Sequence, residues 1–384
     1  MRFLKLLLCV CFVGLSCGAA TDMIYTDTSV SDAKPLFGGQ KRYIVVLKDS
    51  DKSVPDVANE MAKKHAFGLN NVYRHAVRGF AAGMPEAVAN KLRKDARVKY
   101  IEEDAIAFML GKPVKPPKPP KDGGGCLDEP AQVTPYGITR VGAPIPNSGK
   151  TAWVIDTGID LDNCDLNVDV ARSANFIPRG KNSADDKNGH GTHVAGTIAA
   201  LDNEIGVVGV MPGATVVPIR VLDAQGSGYI SWIVAGVDYV AAHASAGDVA
   251  NMSLGATGHF QSLHDAVYNT SELGIWFAIA AGNESSHAEN SEPAHVNALH
   301  VLTVSAIDSN DVFASFSNYG NPPVDVTAPG VNVLSLKMGG GVISYNGTSM
   351  ATPHVAGLLL AGYVGVDGGA INDPDEFVDP IAHH

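Results

Sequence analysis

The stretch that most restricts what this chain can fold into is Gly347-Thr348-Ser349-Met350-Ala351-Thr352-Pro353-His354-Val355-Ala356-Gly357. A glycine and two hydroxyl residues lead into small and apolar residues, and the run continues through Leu358, Leu359 and Leu360. This pattern predicts a buried helix. Proline is tolerated in a first helical turn, so the helix is expected to begin near Ser349. Ser349 then sits where unpaired backbone N–H groups and the positive end of the helix dipole converge, a placement that favours a developing anion. An ordinary serine N-cap has the same local signature, so the meaning of Ser349 depends on the rest of the chain.

Two further stretches supply candidates. The apolar strand Ala152-Trp153-Val154-Ile155 ends in Asp156-Thr157-Gly158, which puts an aspartate at a strand's carboxyl end. The run Asn188-Gly189-His190-Gly191-Thr192-His193-Val194-Ala195-Gly196-Thr197 carries two histidines three residues apart. No acidic residue stands between or directly beside those histidines, and their spacing differs from the zinc motif, which argues against a metal pair. Together with Gly-Thr-Ser-Met-Ala-x-Pro-His-Val-Ala-Gly at 347–357, these motifs resemble the subtilisin-like serine peptidases. The order Asp, His, Ser along the chain is that of subtilisin itself. The resemblance implies Asp156, His190 and Ser349 as the catalytic triad, with His193 a structural histidine. Strand Trp276 to Ala280, followed by Ala281-Gly282-Asn283, matches the family's oxyanion residue at Asn283. The side-chain amide of Asn283 and the N–H of Ser349 are expected to hold the tetrahedral oxyanion.

The resemblance also implies an extended substrate lying between two backbone edges. Gly226-Ser227-Gly228 matches one edge and Ser253-Leu254-Gly255 the other. Ala280, Ala281 and Gly282 are expected to line the first specificity pocket, with Glu284 at its rim admitting basic side chains as well as apolar ones. A structural Ca²⁺ is implied as cofactor. Ala131 to Gly137 resembles the mature family N-terminus, Asp165 follows Asp156 at the family's spacing, and Leu201 to Val207 resembles the metal loop. The implied ligands are the side chains of Gln132, Asp165 and Asn203 and the carbonyls of Leu201, Ile205 and Val207, an oxygen shell that suits Ca²⁺.

The expected fold class is α/β, a parallel sheet with helices on both faces, preceded by a small α+β domain. Near-continuous apolar strands (152–156, 215–221, 249–253, 275–280, 301–304) alternate with helical runs, the pattern of a doubly covered parallel sheet. In such a sheet the site lies at the carboxyl ends of the strands. Ahead of it, residues 41–108 read as strand, helix, strand, strand, helix, strand. Through Tyr43 to Asp49, Arg78-Gly79-Phe80-Ala81-Ala82 and Val98 to Asp104, this domain resembles the family's inhibitor propeptide. Residues 41–110 carry a net charge of +4 and residues 131–384 a net charge of −17, so the two are expected to associate.

Residues 109–130 read as a linker whose Lys112 to Lys121 run is a basic polyproline spacer, and separation of the propeptide is expected within Lys112 to Gly125. The catalytic domain is expected over 131–362. Residues 363–384, acidic and without a helical period, are expected to pack irregularly. Residues 1–20, with Arg2 and Lys5 ahead of an apolar stretch and then small residues, read as a cleaved secretory signal. That makes the expected location extracellular. Three of the five cysteines leave with the signal, so Cys126 and Cys164 remain as an expected disulfide. A net charge of −12 argues against nucleic acid as partner. The expected partners are protein or peptide substrates and the chain's own propeptide, with no membrane anchor in a monomeric mature form. A catalytically silent binding protein with the same fold is the competing reading, and the presence of all three triad types and Asn283 argues against it.

Overall fold

The computed structural model describes residues 41–113, 129–178 and 182–384. The proposed signal segment, the bulk of the linker and Cys126 lie outside the described residues.

The first part runs β1 (Lys41–Leu47), α1 (Val54–His65), β2 (Gly68–Tyr73), β3 (Gly79–Met84), α2 (Glu86–Leu92) and β4 (Val98–Glu103). Its four strands form one sheet in the order β2-β3-β1-β4. The alternation along β1 explains how this sheet is used. Tyr43, Val45 and Leu47 face the domain's own helices and pack with Val57, Met61 and Leu92. Ile44 and Val46 face the other way, into a cluster that includes Ile233, Val234 and Val237. Period-2 alternation thus splits the strand between an internal core and an interface.

Two short strands follow, β5 (Ile106–Met109) and β6 (Lys112–Pro113). The main body then runs α3 (Tyr136–Arg140), β7 (Thr151–Asp156), β8 (Asn167–Val168), β9 (Ala174–Asn175), α4 (His190–Ala199), β10 (Thr215–Arg220), β11 (Ser227–Tyr229), α5 (Ile230–His243), β12 (Val249–Met252), β13 (Leu254–Thr257), α6 (Gln261–Ser271) and β14 (Trp276–Ala280). It closes with β15 (Ser291–Glu292), β16 (Val301–Ile307), β17 (Val324–Pro329), β18 (Val333–Leu336), β19 (Val342–Asn346), α7 (Thr348–Leu359), β20 (Gly365–Gly369) and β21 (Pro380–His383).

The main sheet has the order β20-β21-β17-β16-β14-β12-β7-β10-β8, with β9 also pairing β10. Its pairings are parallel except β20 with β21. Every residue of β7 is buried. Ala152 and Val154 pack on one face with α4 and α7, while Trp153 and Ile155 pack on the other with α5 and α6. The chain leaves β7 for β10 on one side and later returns to β12 on the other. β7 is therefore the switch point, where a crevice opens at the carboxyl ends of an α/β sheet.

Two expectations change. Residues 363–384 are not irregular: β21 joins the sheet edge beside β17 through Thr327 and Ile381, and β20 folds back on β21. Ile381 and Ala370 pack with Ile307 and Phe313. Of the expected linker 109–130, Met109 belongs to β5 and residues 112–113 to β6, so its first residues are paired strand.

Candidate active site

Asp156 ends β7, fully buried. Its carboxylate accepts from the imidazole Nδ1 of His190 at 2.8 and 3.0 Å, and from the N–H of Thr157 at 2.6 Å. His190 is the first residue of α4, which has no side-chain cap at Gly189. A residue the sequence reading missed does that work. Asp186, buried, accepts from the N–H groups of Asn188, Gly189 and Thr192 and from the hydroxyls of Thr157 and Thr192, at 2.6 to 3.0 Å. It thereby caps the helix that carries the imidazole. An aspartate a few residues before a Gly-His helix start was the available cue. His193 donates Nε2 to the carbonyls of Val333 and Ile343 and stacks flat on Tyr345 with centroids 4.6 Å apart. Burial pushes its pKa down to about 3. It is a neutral core histidine.

Ser349 lies in the first turn of α7, which starts at Thr348. Pro353 falls in the second turn of that helix rather than the expected first. The missing Pro353 N–H leaves the Ser349 carbonyl without its i+4 donor. The hydroxyl of Ser253 fills the gap at 2.9 Å and is itself held by the Asn251 side-chain amide at 2.9 Å. The Ser349 hydroxyl donates to the Ser253 carbonyl at 2.8 Å. It is not bonded to His190, whose Nε2 has no hydrogen-bond partner among the described residues.

The chain's own segment 106–113 crosses this site. β5 pairs antiparallel with β11 through Phe108 and Ser227, and with β13 through Met109 and Leu254 and through Phe108 and Gly255. The Met109 N–H reaches the Gly226 carbonyl at 2.9 Å, and the Leu110 N–H reaches that of Ser253 at 3.2 Å. Both expected edges, Gly226 to Gly228 and Ser253 to Gly255, therefore hold one extended strand between them. The Leu110 carbonyl accepts from the Asn283 side-chain amide and, at 3.4 Å, from the Ser349 N–H. A Cβ on Gly347 would come within 2.1 Å of that carbonyl, so the turn needs glycine. Gly111 lies against the imidazole: a Cβ there would stand 2.8 Å from His190 Nε2. Beyond it, β6 pairs with β19. The peptide bond seated among these groups is thus Leu110–Gly111, ahead of the basic spacer where separation was expected. Strand register, not exposure, decides which bond reaches the site.

Ala280, Ala281 and Gly282 are buried at the end of β14, and the Leu110 side chain meets Gly255. Asn318, also missed, organises this wall. Fully buried, its amide donates to the Ala281 carbonyl and to Glu284 Oε2, and its oxygen accepts from the N–H groups of Glu284 and Ser286. Glu284 also accepts from the Asn283 N–H at 3.0 Å. Its carboxylate is committed to holding the Asn283 loop rather than left to face a basic side chain.

Carboxylates of the first domain tie it down. α5 and α6 have no side-chain caps of their own. Asp104 accepts from the N–H and hydroxyl of Ser231 at 2.9 and 2.6 Å, and Glu102 accepts from the N–H of Ser262 at 3.3 Å and from its hydroxyl. In return Asp238 of α5 accepts from the N–H groups of Arg74, His75 and Ala76 at 2.7 to 3.0 Å.

At the expected metal loop, the bridges Ala131–Ile205 and Val133–Val207 bring Gln132 beside Asn203. Asn203 donates its amide to Asp165 at 2.8 Å, and the Gln132 side-chain oxygen accepts from the Asn203 N–H. Asp165 is buried, and desolvation raises its pKa to about 6. Among the described residues, the carbonyls of Leu201, Ile205 and Val207 accept no hydrogen bond. A buried carboxylate beside unpaired carbonyls is a donor set that fits a hard cation. Cys164 is disulfide-bonded.

A parallel sheet with a paired Asp and His and a serine at a helix start, crossed by its own antiparallel strand, defines the class of a serine peptidase held with its amino-terminal domain. Comparison with known proteins is specific. Residues 148–361 match the subtilase family and residues 42–109 match peptidase inhibitor I9. The chain is 39% identical over 325 residues to subtilisin E of Bacillus subtilis (strain 168), covering 83% of this chain and 79% of that protein. It is 36% identical over 355 residues to alkaline serine protease ver112 of Corniculantispora psalliotae, covering 88% and 83%. A solved structure of a cold-adapted subtilisin-like serine proteinase matches with a TM-score of 0.57 at 34% identity, covering 65% of this chain and 97% of that one. The chain belongs to the subtilase family: it is a serine endopeptidase preceded by an inhibitor-type propeptide. Among the described residues no helix is long and apolar enough to cross a membrane.

Proposed function

We propose that this peptidase is a self-inhibited proenzyme that cuts its own Leu110–Gly111 bond with Asp156, His190 and Ser349. One observation carries the reading: the Leu110 carbonyl rests between the Asn283 amide and the Ser349 N–H, with Gly111 against His190 Nε2. The Ser349 hydroxyl turns about its Cα–Cβ bond from the Ser253 carbonyl to His190 Nε2, which accepts its proton. The oxygen then attacks the Leu110 carbonyl carbon. Asn283 and the Ser349 N–H hold the oxyanion, and Asp156 steadies the imidazolium. His190 passes the proton to the Gly111 nitrogen, which leaves, and Leu110 remains as an ester on Ser349. Water, deprotonated by His190, hydrolyses the ester.

The products keep the strand pairing of β5 and the helix-capping carboxylates, so the propeptide stays as an inhibitor after the cut. Substrates in trans take the same path. Leu110 in the first pocket, with Glu284 committed elsewhere, favours apolar side chains there. The protein is secreted, with the 1–20 segment as signal and Cys126 as the partner of Cys164. Ca²⁺ occupies the shell of Gln132, Asp165, Leu201, Asn203, Ile205 and Val207 and holds the loop and the chain near Ala131 together.

A fluorophosphonate probe tests the assignment against the silent-binder reading. The processed protein, once freed of its propeptide, takes one label, and Ser349→Ala takes none. A freed catalytic domain that stays unlabelled contradicts the proposal.

A further inference from the structure

On the side of β13 away from β5, three histidines surround one buried carboxylate. Glu292 of β15 lies opposite Ala256 of β13 and is 1% exposed. His295 Nδ1 stands 3.4 Å from Glu292 Oε2, and His259 Nδ1 stands 3.9 Å from the same oxygen. His264 Nδ1 of α6 stands 3.4 Å from the other oxygen, Oε1. Glu292 Oε1, His264 Nδ1 and His295 Nδ1 are buried and have no hydrogen-bond partner among the described residues.

A carboxylate among imidazoles would ordinarily be expected to take hydrogen bonds of about 2.7–3.2 Å. These separations are too long for that. Two ligand atoms each about 2.1 Å from a tetrahedral zinc stand about 3.4 Å apart, which is the separation of His295 from Glu292, while the exposed His259, at 3.9 Å, needs a small side-chain turn to reach it. The donor atoms of His259, Glu292 and His295 all lie within 4.8 Å of one another. Two imidazoles and a carboxylate form a donor set that suits zinc and its neighbours in the transition series.

We propose that His259, Glu292 and His295 bind one Zn²⁺, with His264 set against the second Glu292 oxygen as a positioning residue and water in the fourth place. The fourth ligand follows from exposure, since the His259 side chain is 61% exposed and leaves the metal open on that side. The ligands come from two pieces of chain: the turn after β13, and β15 with the turn that follows it. A metal there staples those pieces across the back of the strand that carries substrate. The site is separate from the oxygen-donor calcium shell in ligands and in chemistry. Its role is to stiffen the substrate edge rather than to take part in peptide hydrolysis.

The test uses the full chain carrying Ser349→Ala, which prevents self-digestion, in buffer with excess Ca²⁺ to fill oxygen-donor sites. Zn²⁺ is titrated against a chromophoric chelator, and Co²⁺ is added separately as a spectroscopic probe. The expected result is one equivalent of Zn²⁺, a Co²⁺ spectrum of tetrahedral intensity, and a higher melting temperature with Zn²⁺. His259→Ala and His295→Ala should each raise Kd at least roughly tenfold and abolish the Co²⁺ bands, by analogy with the losses seen when metal sites are weakened. His259 is exposed, so its substitution leaves folding intact, and the melting curve without zinc checks this. Absence of zinc uptake, or uptake that survives either substitution unchanged, overturns the proposal.

Discussion

Removing the Asp104 carboxylate should loosen the propeptide's hold by about two orders of magnitude. Asp104 accepts two hydrogen bonds from Ser231, at the start of a helix that has no cap of its own. Its third partner, Arg42, belongs to the propeptide itself, so that ion pair exists whether or not the two domains are together. Only the Ser231 bonds count toward the grip. A hydrogen bond to a charged group contributes about 1.5 kcal/mol or more. Two give about 3 kcal/mol, or roughly 150-fold in dissociation constant at 1.4 kcal/mol per tenfold. The assay is the onset of peptidase activity when the processed complex is diluted, compared between Asp104→Ala and the parent. Asp49→Ala is the control, because Asp49 is exposed and stands 4.0 Å from Arg78. A change below about threefold in Asp104→Ala would refute the reasoning that carboxylate capping holds the domains together.

Further outcomes follow from the same geometry. Asn283→Ala should slow peptide hydrolysis by about 10²–10³, the loss known for this donor in subtilisin itself and carried over from that relative, with steady-state kinetics as the check. Saturating Ca²⁺ should raise the melting temperature by roughly 5–10 °C at a hundredfold excess over Kd, and Asp165→Ala should abolish that rise. Burial pushes the Asp379 carboxyl up to about 7. A carboxyl raised in the fold holds its proton more tightly there, so this stabilisation is full below the unfolded value near 4 and is lost as pH rises through 7. Melting of the Ser349→Ala chain should therefore fall between pH 4 and 7, by at most about 4 kcal/mol from this group. Asp379→Asn should flatten that fall, and an unchanged slope would count against it.

Asp156, His190, Ser349 and Asn283 were legible in the sequence because each sits in a short contiguous motif at the end of an apolar strand or the start of a helix. The parallel sheet was legible for a related reason, since strands buried on both faces are apolar throughout. What escaped depends on long-range pairing. Nothing local marks Leu110–Gly111 as the seated bond; the register of β5 on β11 and β13 decides it. Asp186 and Asn318 look like loop residues until folding converges several N–H groups on each. Pro353 could be read as a helix start because the Ser253 hydroxyl that rescues its unpaired carbonyl lies far away in sequence. The strands at 365–369 and 380–383 are short, the first rich in glycine, and the pairing of the second with distant β17 leaves no periodic trace.

The account rests on one peptide bond of the chain lying in its own active site. Intact-mass analysis with N-terminal sequencing of the processed protein measures this directly. A mature form beginning at Gly111, with Ser349→Ala remaining uncut, is the predicted result. A mature form beginning elsewhere, or a Ser349→Ala chain cut at the same bond, would contradict it.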